Sequence, residues 1–117
     1  MAIVVLENSA SKKDIDKARE EYQDYIKITA DIFQKLAAIG GEYHADAEKI
    51  LLEKYASKQK DIWGGGFNLA TKKYETVAII NIRQDPENQS MDILEPEIRK
   101  SFLEVVREKL KGVEFLL

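Results

Sequence analysis

The stretch that most constrains the fold runs from Tyr25 to Gly41. Ile26, Ile28, Ala30 and Ile32 alternate with Lys27, Thr29 and Asp31, a period of two that gathers the apolar side chains on one face of a strand. Phe33-Gln34-Lys35 interrupts the alternation, Leu36-Ala37-Ala38-Ile39 resumes as an apolar run, and Gly40-Gly41 ends it. Helical periodicity also runs through these residues, but it would join them to the preceding segment in one helix too long for a small domain. The reading adopted is a β-hairpin over residues 25–39.

Other elements arrange themselves around that hairpin. Ala2 to Leu6 is a short aliphatic run stopped by Asn8-Ser9, as in a buried strand. Ser11 followed by Asp14 resembles a capping box, and Ile15, Ala18 and Tyr22 recur at helical spacing, which predicts a helix from Ser11 to Asp24. Tyr43, Ala47, Ile50, Leu51 and Tyr55 form the stripe of a second helix, Tyr43 to Tyr55. Asp61-Ile62-Trp63, three glycines, Phe67-Asn68-Leu69, a Thr71-Lys72-Lys73 turn and a strand from Tyr74 to Arg83 make a second hairpin. In its last strand Ala78, Ile80 and Ile82 point one way, and Val77, Ile79, Asn81 and Arg83 the other.

After a loop at residues 85–90, Pro96 opens a helix with core positions Ile98, Phe102, Val105, Val106 and Leu110, closed by Gly112. The apolar tail from Val113 to Leu117 is expected to add an edge strand or to dock on a partner chain. The whole is a single α+β domain, residues 1–117, in the order β-α-β-β-α-β-β-α, with a mainly antiparallel sheet and helices on one face.

Composition excludes several functions. A chain of 117 residues, 44% hydrophobic and 33% charged, builds one core and folds unaided. With no cysteine there is no disulfide, thiolate zinc site, CxxC pair or cysteine nucleophile. No secretory signal or membrane-length run is present, so cytoplasmic residence is expected, with no membrane partner. A net charge of −3 argues against nucleic acid. Arg99, Lys100, Arg107, Lys109 and Lys111, interleaved with Glu97, Glu104 and Glu108, read as a solvated helix face.

The densest polar cluster is Glu42-Tyr43-His44-Ala45-Asp46-Ala47-Glu48. His44 and Glu48 lie four apart on one helix face, and Glu42 and Asp46 on another. An imidazole with a carboxylate could begin a zinc or manganese site, whereas Asp46 with Glu42 suits calcium or magnesium. The plainer reading is that Asp46 and Glu48 complement the helix start while His44 borders the core and hydrogen-bonds to backbone. His44 is the only histidine, so no serine triad can be completed with a second imidazole. Trp63-Gly64-Gly65-Gly66-Phe67 is either an anion-cradling loop or a strand whose glycines admit close packing, with Trp63 in the core. Asn81 and Arg83, with Asp31 near them, are a candidate anion-recognition patch.

Gly40-Gly41-Glu42-Tyr43-His44-Ala45-Asp46-Ala47-Glu48, Ser57-Lys58-Gln59-Lys60-Asp61-Ile62-Trp63-Gly64, Ile80-Asn81-Ile82-Arg83 and Glu97-Ile98-Arg99 together resemble an uncharacterised prokaryotic family classed only as a domain of unknown function. The resemblance covers nearly the whole chain and supports the hairpin at 25–39. Gln84 stands where family members commonly carry proline. The resemblance implies motif positions without roles: Glu42, His44, Asp46, Glu48, Gln59, Asp61, Trp63, Asn81 and Arg83.

The leading expectation is a binding or protein-interaction domain that takes a protein partner or self-associates, because no catalytic constellation is complete. A small divalent-metal-dependent hydrolase using His44, Asp46 and Glu48, with Asp61 nearby, is the alternative. An anion or nucleotide sensor using Asn81, Arg83 and Gly64–Gly66 is the third. No cofactor is predicted under the leading reading, and a divalent cation under the second.

Overall fold

A computed structural model describes residues 2–83 and 88–112. The chain runs β1 (Ile3–Leu6), α1 (Lys12–Ala18), β2 (Tyr25–Asp31), β3 (Leu36–Gly40), α2 (His44–Lys54), β4 (Ile62–Asn68), β5 (Lys73–Glu75) and α3 (Pro96–Lys109). Single 3-10 turns lie at Gln59–Asp61 and Ile79–Asn81. The strands form one five-stranded antiparallel sheet in the order β1-β3-β2-β4-β5, so the fold is α+β with the element order the sequence predicts.

The β2–β3 hairpin is real, and its turn is built by Asp31. One carboxylate oxygen accepts the Phe33 amide at 3.0 Å and the Gln34 amide at 2.9 Å, and the other accepts the Gln34 side chain at 2.8 Å. Lys35 then takes a left-handed φ of 60° and returns the chain into β3. Burial alone would raise the Asp31 carboxyl, but hydrogen bonds from Ser57, Gln34 and Phe33 outweigh it and hold the group below its ordinary value. Asp31 is therefore committed to its own turn and does not join an anion patch with Arg83.

The sheet is covered on both faces, which corrects the expectation of helices on one. Ile26, Ile28, Ala37, Ile39 and Phe67 pack with Ile15 and Ala18 of α1 and Phe102, Val106 and Leu110 of α3. On the opposite face Ala47 and Leu51 of α2 pack on Leu36, Ala38 and Ile62, with Ile3 and Val5 at the border. β3 explains the difference: Leu36-Ala37-Ala38-Ile39 is apolar without alternation, so both of its faces need cover. Burying a leucine such as Leu51 contributes about 2 kcal/mol.

α1 ends at Ala18, short of the predicted Asp24. Beyond it, tertiary contacts replace helical ones: Glu21 accepts the Ala2 amide at 3.2 Å, and the Asp24 carbonyl accepts the Leu69 amide at 2.9 Å. Its Ser11–Asp14 capping box is present as predicted. The strand predicted from Tyr74 to Arg83 stops at Glu75, leaving only a Val77–Asp92 bridge before the turn at Ile79–Asn81. In α3, Glu95 caps the Ile98 amide and Pro96 takes the first turn. The basic residues of this helix are not simply solvated. Lys109 is buried and donates to the Glu7 carbonyl at 2.6 Å, while Arg99 pairs with Asp92 at 2.8 Å. The tail at 113–117 and loop positions 84–87 lie outside the described residues.

Candidate functional site

Beyond the end of β5, the outer edge of β4 is completed by side chains. The Gly64 amide donates to Asn81 Oδ1 at 2.8 Å, and Asn81 Nδ2 donates back to the Gly64 carbonyl at 2.9 Å, the pattern a partner strand would supply. Asn81 is fully buried and also reaches the carbonyls of Thr76 and Met91. Arg83 continues the edge by donating to the carbonyls of Ile62 and Gln59, with its guanidinium 4.1 Å above the Trp63 ring. Asn88, also buried, donates to the carbonyls of Asn81, Ser90 and Asp92 and accepts the Leu94 amide. Asp92 then ties this segment to Thr76 at 2.6 Å and to Arg99 of α3 at 2.8 Å. The described parts of the connection from β5 to α3 are thus held by buried hydrogen bonds rather than by regular structure.

The three glycines are strand residues inside β4, and large side chains rest on them. A Cβ on Gly64 would lie 2.7 Å from the Ala78 methyl and 3.0 Å from His44 Cδ2. One on Gly65 would lie 2.9 Å from the Phe102 ring on the opposite face, and one on Gly66 would strike the Tyr25 hydroxyl. His44, in the first turn of α2, places Nε2 2.7 Å from the Gly65 carbonyl. Burial lowers its pKa most; Lys27 adds to the lowering and the Gly65 bond opposes it. Burial, followed by the charge and hydrogen bonding of Glu75, pushes the Tyr25 phenol well above its ordinary value. Both shifts favour the uncharged form of the side chain.

These side chains line a groove of about 480 Å³, between the start of α2 and residues 77–80, bordered also by Lys27, Tyr43, Glu75 and Met91. Its wall is apolar and open: Val77 is 42%, Ile79 72% and Met91 43% exposed. A concave, mainly apolar surface with a few converging polar groups of perturbed pKa is what a small-ligand site requires.

Of the candidate binding and metal residues read from the sequence, His44 alone lines this groove. Glu48 lies one turn on, with one carboxylate oxygen sealed from solvent and without a partner. Burial raises the Glu48 carboxyl, and the charge of Arg83 opposes that rise. Glu42 is exposed and Asp46 half-buried in the first turn of α2. Asp61 pairs with Lys60 at 3.1 Å and lines a separate concavity with Phe33 and Lys58. Gln59 lends Arg83 its carbonyl, and Trp63 is buried beneath the guanidinium. Among the described residues no three His, Asp or Glu side chains converge as metal ligands. Tyr25, Lys27, Glu75 and Met91 escaped the sequence reading. For Tyr25 the signal was indirect: consecutive glycines in a strand imply that something large lies over them, and Tyr25 lies over Gly66.

Among the described residues, no helix is long and apolar enough to cross a membrane. No curated protein and no solved structure matches the chain. A family model does match, over residues 4–109, and it covers both the sheet and the residues that line the groove. The chain belongs to the family described as Protein of unknown function (DUF5674).

Proposed function

We propose that this chain is a binding domain whose ligand is a compact, largely apolar molecule seated in the groove between the first turn of α2 and residues 77–80. The observation that carries the reading is the groove itself: exposed Val77, Ile79 and Met91 face His44 and Tyr25 across about 480 Å³. Apolar side chains held open to water by a network of buried asparagines favour occupancy, because a pre-formed wall spares the ligand the cost of ordering it. Catalysis has weaker support. His44 and Tyr25 each have a polar atom tied to a protein partner, and no described metal-ligand set lies beside them.

The test is an amide NMR titration with indole as a compact aromatic probe. Saturable shifts at Gly64–Gly66, His44 and Met91, weakened at least tenfold by Ile79→Asp, are expected. Ile79 is exposed, so that substitution leaves the fold intact. An absence of saturable shifts, or shifts insensitive to Ile79→Asp, would refute the reading.

A further inference from the structure

The chemistry around His44 narrows the ligand class, an inference that rests on the groove being a binding site. The Gly65 carbonyl 2.7 Å from Nε2 can only accept, so Nε2 carries the proton. A neutral imidazole then has its lone pair on Nδ1. The edge of the ring bearing Cδ2 and Nε2 faces the glycines, so Nδ1 lies on the opposite edge. No described protein group bonds Nδ1, and it is not sealed from solvent. Lys27 lines the same groove and carries an ammonium donor, which lies 5.3 Å from the centre of the Tyr22 ring, and Glu75 adds a carboxylate already engaged by Tyr25.

We propose that the groove selects a neutral hydroxyl compound with a compact apolar body, a phenol or a small alcohol, whose O–H donates to His44 Nδ1 while its oxygen accepts from Lys27. A hydroxyl is the simple group that donates and accepts at one atom. A carboxylate has no proton for Nδ1 and meets the charge of Glu75. An ammonium cannot accept from Lys27 and is repelled by it. An ether of the same shape fills the apolar wall but leaves Nδ1 unpaired, a loss typical of sites built for a hydroxyl.

The experiment compares 4-methylphenol, 4-methylanisole and 4-methylbenzoate on the full chain near neutral pH, following the glycine amides and the His44 ring nitrogens by NMR. The expected result is that 4-methylphenol binds at least tenfold more tightly than the other two and shifts Nδ1 while Nε2 stays protonated. The preference should vanish in His44→Phe, which keeps the apolar bulk. Equal affinities for the phenol and the anisole, or tightest binding of the benzoate, overturn the hydroxyl assignment and leave the groove reading standing. Failure of all three to reach the glycines overturns both.

Discussion

His44 links the stability of the domain to the state of its groove. Its folded pKa lies below the ordinary 6.5, with burial as the main cause, so the native state holds this proton less tightly than the unfolded chain. The stabilisation is complete above the unfolded value and is lost as pH falls through the folded one. Glu48 runs oppositely: its pKa is raised from 4.5, so its contribution is present below that value and lost as pH rises through the folded one. His44→Gln isolates the histidine because it leaves Glu48 in place. Between about pH 7.5 and 5.5 the urea midpoint of the wild type should fall more steeply than that of His44→Gln, and parallel profiles would contradict the assignment. The sequence singled out His44 as a candidate and allowed it a hydrogen bond to backbone, but gave no sign of which carbonyl it would reach. Spacing of i and i+4 joins it to Glu48 on paper, whereas the folded ring turns to the Gly65 carbonyl and Glu48 feels the charge of Arg83.

At the scale of elements, β4 is the piece on which the site depends. Its glycines bring His44, Ala78 and Tyr25 close on one face and Phe102 on the other, and its outer edge is closed by Asn81 and Arg83. Asn81→Ala leaves the Gly64 amide and carbonyl without partners in a buried place, at a cost of about 3 kcal/mol. The urea midpoint should drop with the slope unchanged, and a change below ~0.5 kcal/mol would show that the edge is held by something else. Strand periodicity placed β2, β3 and β4 correctly because their residues alternate or stay apolar under a cover. It failed at 76–83, where Val77, Ile79, Asn81 and Arg83 looked like one strand face. Asn81 wins the competition there: its amide substitutes for a strand, the chain curls into a turn, and Ile79 is left facing water.

The molecule as a whole is a five-stranded sheet with α1 and α3 on one face and α2 on the other, and the groove lies where residues 77–80 and 91 meet the start of α2. The hairpin, the helix count, the order of elements along the chain and the antiparallel character of the sheet were legible in local patterns. The distribution of helices between faces was not, because it depends on which strands become central, a long-range property. The groove was hidden for the same reason, since its lining comes from β2, α2, β5 and the connection to α3. The most direct test of the central claim is a crystal structure of the chain grown with 4-methylphenol. The account predicts the ring against Val77, Ile79 and Met91 with its hydroxyl at His44 Nδ1; a groove left empty while the phenol occupies another surface would contradict it.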